Sequence, residues 1–361
     1  MKAKIVQPTP ESINLIAEAL RHDEVVGMPT ETVYGLAGNA RSPVALARIF
    51  ETKERPTFDP LIVHIGRISG IDELKTLDLI DFEALSKERT QQLETLIQQF
   101  WPGPLTLVLP KHSSVPDLAT SGLPSVAIRI PEHPVALALI EAAQTPLAAP
   151  SANRFGRISP TTAQAVQLEL GDRIHWILDG GPCQIGVEST ILSLAFPNEL
   201  VILRPGGTPP EKIEAALSTS IRKGVASAPK STETRPLAPG MLESHYAPRT
   251  PLFMLPKPLA ALTPQDRQSV EAVIRQYTST QQPVGLLLMS GSPDHANLGH
   301  PIRCRSLSPS GDLNEAARNL FTTLRHLDSL GVPVIFAEPC THQEGLGFAI
   351  SDRLRRASAR S

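Results

Sequence analysis

The thirteen-residue stretch KERPTFDPLIVHI (53–65) joins a charged, proline-stiffened loop to a short apolar run. LIVHI (61–65) reads as a buried strand, with His64 inside it. Lys53 and Arg55 stand just before that strand. A lysine and an arginine on a rigid loop can neutralise a polyphosphate, the arginine with bidentate geometry. The plainer reading is a solvated charge pair. His64 is open in the same way: it is either a hydrogen-bonded core histidine or a donor to a substrate carboxylate.

Working outward, the same alternation of short apolar runs and helical periods recurs. Ile13, Ile16, Ala17 and Leu20 repeat at helical spacing, and EVVGMPT (24–30) reads as a strand ending at Pro29. A helix is expected around Pro43 to Phe50, with proline in its first turn. Further strands are expected at 105–109, 125–130, 146–149, 175–180 and 190–194, with helices near 89–100, 133–143, 161–170 and 209–218. This pattern predicts an α/β fold on a twisted, mixed sheet for a first domain, residues 1–218. Residues 219–250 are rich in Ser, Thr, Lys and Pro and read as a linker, with a less linker-like island APGMLESHYAP (238–248). In a second domain, 251–361, strands at 284–289 and 332–337 alternate with helices over 313–330 and 344–357. That predicts a small, doubly wound, Rossmann-like domain. Asp312 and Glu315 suggest a capping pair at the start of the 313–330 helix.

Composition narrows the function. The chain has 361 residues, 41% of them hydrophobic, enough for two cored domains. Its formal net charge is −2, so no global basic field recruits nucleic acid. Cys183, Cys304 and Cys340 form no C-x-x-C pair, which argues against a disulfide framework and a structural zinc site. No histidine-and-carboxylate spacing suggests a fixed protein metal site. There is no run of 18 apolar residues and no secretory h-region, so no membrane association and a cytoplasmic protein are expected. No phosphate-cradling G-x-x-x-x-G-K-[ST] loop occurs, so a nucleotide must be held by side chains.

Four more clusters could carry chemistry. PTETVYGLAGNA (29–40) puts Thr30, Glu31, Thr32 and Tyr34 after a strand, which suits either a ligand site or a polar turn. In SVAIRIP (125–131), Arg129 interrupts an apolar strand and needs an anion, from the protein or a ligand. AAPSANRFGRISPTTAQAV (148–166) offers Ser151, Asn153 and Ser159 before a helix, for anion binding or simple capping. DGGPCQIGVESTIL (179–192) brings glycines and Ser189, and LRPGG (203–207) brings Arg204. Cations, hydroxyls and glycines without an evident nucleophile suit phosphoryl or nucleotidyl transfer, which works by positioning and charge neutralisation.

In combination and order, these motifs closely resemble the threonylcarbamoyl-AMP synthase family in its longer, two-domain form. The carrying motifs are PTETVYGL, KERPTFDPLIVHI, FWPGPLTLVL (100–109), VAIRIPEHP, PLAAPSANRFGRISPT, GVESTI and LRPGG, with HYAP (245–248) and GLGFAISDRLRRAS (345–358) resembling the family's linker and carboxyl-terminal domain. The resemblance implies a YrdC-like catalytic domain. It implies synthesis of threonylcarbamoyl-adenylate and pyrophosphate from L-threonine, bicarbonate and ATP, with Mg²⁺ accompanying the triphosphate. The product would pass to a downstream transferase that modifies adenosine 37 (t6A) of tRNAs reading codons that start with A.

By motif position, the resemblance places Thr32, His64, Arg129, Ala149 and Ser189 around threonine. It places Arg55, Asp59, Ser125, Ser151, Ser159, Arg204 and the linker residue Tyr246 against ATP. It gives Lys53 and Arg55 the catalytic task of offsetting phosphate charge. The family often carries Gly where Glu54 stands and Asn where Asp59 stands. An aspartate facing a triphosphate repels it unless a cation intervenes, so Asp59 has two further readings: it holds its own loop, or it meets Mg²⁺. Two other classes compete with this one. Hydrogenase-maturation carbamoyltransferases share a related domain but add an acylphosphatase-like region and C-x-x-C zinc motifs, neither visible here. RNA binding on a local basic surface is the other, and the near-neutral charge and lack of an aromatic stacking set weigh against it.

Overall fold

A computed structural model describes residues 2–224, 236–242, 245–278 and 281–359. Of the expected linker, 225–235 and 243–244 lie outside the described residues. The chain divides into two compact units, residues 1–155 with 159–241, and residues 156–158 with 242–361. Among the described residues no helix is long and apolar enough to cross a membrane.

The first unit is built on an eleven-stranded mixed sheet. Its strands are β1 (Lys4–Val6), β2 (Val26–Met28), β3 (Gly35–Asn39), β4 (Ile62–His64), β5 (Leu105–Pro110), β6 (Ser125–Arg129), β7 (Leu147–Ala148), β8 (Trp176–Leu178), β9 (Thr190–Ser193), β10 (Val201–Arg204) and β11 (Arg222–Lys223). Their spatial order is β1-β8-β2-β3-β7-β4-β6-β5-β9-β10-β11. Parallel pairs such as β4 with β6 and β5 with β9 alternate with antiparallel ones such as β5 with β6.

The helices start where the sequence supplies caps. Thr9 and Ser12 form a reciprocal capping box on Pro10–Arg21, and Ser42 caps Pro43–Lys53, which has proline in its first turn. Ser86, His133 and Thr162 cap Lys87–Phe100, Pro134–Ala143 and Ala163–Leu170. Strand alternation then sorts the side chains of the sheet. Val63, Leu105, Leu107, Leu109, Val126, Ile128, Leu192 and Ile202 enter the main core with Leu93, Leu96 and Ile97 of the Lys87–Phe100 helix. Ile62, Val108, Ala127, Ile191, Val201 and Leu203 form a separate cluster with Ala238. His64, Thr106 and Arg129 alternate in step with this second set, so the chemistry-bearing face is opposite the helix-packed one.

β3 lies where the sequence predicts a polar turn or ligand loop. Gly35, Gly38 and Asn39 have low strand propensity. The glycines pack tightly, because a Cβ on Gly35 would come 3.0 Å from the Ala149 Cβ and one on Gly38 would come 3.1 Å from Ile49 Cδ1.

The second unit has a four-stranded, wholly parallel sheet of β12 (Leu252–Met254), β13 (Val284–Ser290), β14 (Ile302–Ser308) and β15 (Ile335–Ala337), in the order β12-β15-β13-β14. Helix Pro264–Tyr277 packs Val270 and Ile274 against Val284, Leu286 and Leu288 on one face. Leu313–Ser329 lies against β14 and β13, and Gly345–Ser358 against β12. Asp312 caps Leu313–Ser329 by accepting from the Asn314 N–H at 2.7 Å, but Glu315 does not return the bond. The Asp312 N–H goes instead to Ser308 Oγ at 2.9 Å, and Ser308 donates to Glu315. The expected two-residue box is thus a three-residue relay, with Ser308, the last residue of β14, standing between Asp312 and Glu315.

Candidate active site

The site is assembled from strand ends and the loops that leave them. In the parallel β4–β6 pair, His64 stands in register with Arg129. Arg129 is 3% exposed, so each of its N–H groups needs an acceptor. Nε donates to Gly103 O at 3.1 Å, Nη1 donates to Thr32 Oγ1 at 2.9 Å, and Nη2 is ion-paired with Glu31 Oε1. Removing the carboxylate from such a buried pair costs about 3–5 kcal/mol, so Glu31 fixes the guanidinium. Thr32 is held by its own turn. Thr30 Oγ1 lies 2.9 Å from Thr32 Oγ1 and accepts from the N–H groups of Thr32 and Val33. His64 Nδ1 lies 3.2 Å from Ile62 O. Burial, then the neighbouring Arg129, pushes the imidazole down to about 3, so it is neutral at physiological pH. The Ala149 N–H donates to Ile62 O at 3.0 Å, which seats Ala149 beside β4.

The loop before β4 holds the cations. Arg55 Nε donates to Asp59 O at 3.1 Å, Nη2 donates to Pro60 O at 2.8 Å, and Nη2 lies 2.9 Å from Asp59 Oδ2. Asp59 therefore ties down the loop it belongs to. It is fully buried, and burial raises its carboxyl above the usual range against the pull of Arg55, Lys53 and Arg204. Lys53, the last residue of helix Pro43–Lys53, is 1% exposed. Its ammonium donates to the carbonyls of Ser151 and Asn153, binding this loop to the PSAN loop. Burial, then the Arg55 charge, holds the lysine well below its ordinary value. Glu54 follows in the left-handed region at φ 54°, where glycine is at ease. That is the physical reason a glycine suits this position.

Ser125 opens β6, at the strand end opposite Arg129 and near the loop that carries Asp59. Ser159 is fully buried and donates to Glu188 Oε1 at 2.6 Å. Ser189 enters β9, where its Oγ lies 2.7 Å from Thr106 Oγ1. Arg204, at the end of β10, donates through Nε and Nη2 to Ser189 O at 3.2 and 3.0 Å and through Nη2 to Ser189 Oγ at 3.1 Å. Its Nη1 donates to Pro239 O at 3.2 Å. Tyr246 belongs to the second unit. There it is 1% exposed at φ 65°, packs on Phe321 at 5.6 Å, and lies under the Arg353 guanidinium at 5.1 Å.

The sequence-predicted residues of the first unit thus fall at both ends of the β4–β6 pair, Arg55, Asp59 and Ser125 at the start of the strands and His64 and Arg129 at their finish. Glu31 stands among the ligand-site candidates of PTETVYGLAGNA without a role, and Thr106, Glu188 and Pro239 escaped assignment. Glu31 and Glu188 sit beside Thr32 and Ser189 in their motifs, so adjacency was their signal. Thr106 is the one polar residue in LTLVL (105–109), which was read only as a strand. Pro239 carried no signal, since only its carbonyl is used.

The arrangement sets buried cations, hydroxyls and a neutral histidine on an α/β sheet, groups that suit nucleotide transfer by positioning and charge neutralisation. A family profile described as "Telomere recombination" matches residues 18–206, and one described as "Threonylcarbamoyl-AMP synthase, C-terminal domain" matches 209–359. The threonylcarbamoyl-AMP synthase of Pyrococcus abyssi is 42% identical over 96% of this chain and 94% of its own length. That of Bacillus subtilis is 39% identical over 95% of this chain and 91% of its own length. The crystal structure of P. abyssi Sua5 complexed with L-threonine superposes with a TM-score of 0.83 at 39% identity, covering 99% of this chain and 98% of that one. The chain belongs to the threonylcarbamoyl-AMP synthase family, in its two-domain form.

Proposed function

We propose that this chain is an ATP-using enzyme that makes threonylcarbamoyl-adenylate and pyrophosphate from L-threonine, bicarbonate and ATP. The observation that carries the reading is near-full-length identity to enzymes of that name, 42% over 96% of the chain in the P. abyssi case. The geometry supplies matching chemistry. Threonine is a zwitterion with a hydroxyl, and Arg129, Thr32, neutral His64, Ala149 and Ser189 offer it a cation, hydrogen-bonding groups and an apolar contact. Lys53, Arg55 and Arg204 supply positive charge for the triphosphate, with Ser125, Ser151 and Ser159 as hydroxyl partners.

The threonine ammonium first gives a proton to solvent, and the free amine captures bicarbonate, losing water, to give a carbamate. A carbamate oxygen attacks the α-phosphate of ATP, and pyrophosphate leaves. In this reading the task of the chain's residues is to hold the two substrates within reach of each other for that attack. Mg²⁺ would offset charge on the departing pyrophosphate when bound. The residues fit a cation carried by the nucleotide. Among the described residues no group of three His, Cys, Asp or Glu could hold a metal ion, while Asp59 Oδ1 is buried without a hydrogen-bond partner and could take one hard-cation or water contact. The product is a labile mixed anhydride, so a downstream transferase acting on tRNA adenosine 37 would consume it. Direct RNA contact by this chain is not needed for that chemistry.

Mass spectrometry of a reaction holding ¹³C-bicarbonate, L-threonine and ATP tests the reading. The expected product is an adenylate carrying both threonine and one ¹³C. ADP and phosphate as the sole nucleotide products would refute it.

A further inference from the structure

Thr106 is the single polar residue in an otherwise apolar strand, and it is fully buried. β5 and β9 run parallel with Leu105 in register with Thr190, which sets Thr106 beside Ser189. The strand entry is fixed, because the Trp101 indole N–H donates to Leu105 O at 2.7 Å. Thr106 Oγ1 and Ser189 Oγ are 2.7 Å apart, and Arg204 Nη2 donates to Ser189 Oγ at 3.1 Å.

The protons of this cluster can be counted. Arg204 is a donor only, so Ser189 Oγ accepts from it. If Ser189 donated to Thr106, the buried Thr106 proton would need an acceptor, and Ser189 Oγ is the one hydrogen-bond partner its hydroxyl has among the described residues. A buried donor without an acceptor is costly. If Thr106 donates to Ser189 instead, both acceptor positions of Ser189 are filled and its single proton is left for a third group. Every proton is then satisfied only when an acceptor oxygen arrives.

We propose that Thr106 is a positioning residue that turns Ser189 into an obligatory hydrogen-bond donor toward an anionic oxygen of the amino-acid substrate. The relay runs from Thr106 to Ser189 to the ligand, with Arg204 as the second donor onto Ser189. It accepts a carboxylate or carbamate oxygen at that point and disfavours an ammonium group, which has no lone pair to offer. This inference rests on Ser189 facing threonine, as in the proposed function.

The test compares Thr106→Val, which keeps the branched shape and removes the hydroxyl, with Thr106→Ser, which keeps the hydroxyl. Each is made in the wild-type and Ser189→Ala backgrounds. L-Threonine affinity is read by calorimetry without ATP, KM and kcat by pyrophosphate release, and folding by thermal melting. Thr106→Val is expected to weaken threonine binding and raise its KM about tenfold, with a smaller effect on kcat, while Thr106→Ser stays within about twofold. In the Ser189→Ala background Thr106→Val should add nothing, because its effect passes through Ser189. Equal losses in Thr106→Val and Thr106→Ser, multiplying effects in the double variant, or a silent Thr106→Val would each overturn the proposal. A wild-type chain that binds no threonine would mark failure of the functional reading itself.

Discussion

His64 shows how one enclosed side chain ties stability to pH. Its imidazole is 3% exposed and pushed down to about 3 by burial and by Arg129, from an ordinary value of 6.5. The unfolded chain therefore takes up a proton below pH 6.5 that the folded chain refuses until about pH 3. Stability is lost as pH falls through that window, by about 1.4 kcal/mol per pH unit from this group. In urea unfolding between pH 7 and pH 5, the wild type should lose about 2 kcal/mol more than His64→Gln. Parallel pH dependence in the two proteins would show that His64 is not held neutral. The sequence left His64 open between core and site, since burial and the cation across the strand pair come from register. Arg129 was more legible, because a lone arginine in SVAIRI must find an anion somewhere. That its protein anion is Glu31, 98 residues away in sequence, is a matter of topology.

At the scale of elements, β5 and β6 were readable, and so were β2 and β13 despite a glycine in each, whereas β3 and the polar-rich β14 were not. LTLVL and SVAIRI became β5 and β6 because β-branched and leucine side chains fit a sheet buried on both faces. β3 was hidden by glycines of low strand propensity that sit tightly against their neighbours. LRPGG is similar. Its first glycine lies against the entry to β9, where a Cβ on Gly206 would come 2.2 Å from Glu188 O and 2.4 Å from the Ser189 carbonyl carbon. Gly206→Ala must therefore push aside the segment that carries Ser189. It is expected to raise the KM for threonine at least tenfold and to destabilise by about 1–3 kcal/mol. A wild-type KM in a folded Gly206→Ala protein would contradict that coupling. In the second unit, HYAP and the terminal helix, separate motifs in the sequence, prove to be neighbours. The His245 N–H donates to Arg356 O at 3.2 Å, and Asp352 gathers Arg353 and Arg356 within the helix.

At the scale of the whole molecule, two sheets of different kind share one chain. The unit of the mixed eleven-stranded sheet contains most of the predicted residues, and the unit of the parallel four-stranded sheet contains Tyr246. The fold class of both halves was legible because apolar period and turn residues report it directly. Strand order was not, since eleven short strands permit many pairings and only the folded register selects one. The central claim, that threonine, bicarbonate and ATP are joined in one reaction, is tested most directly by omitting each substrate in turn while measuring pyrophosphate release. The account predicts release only when all three are present, with loss of any one returning the rate to background. Release that needs neither threonine nor bicarbonate would contradict it.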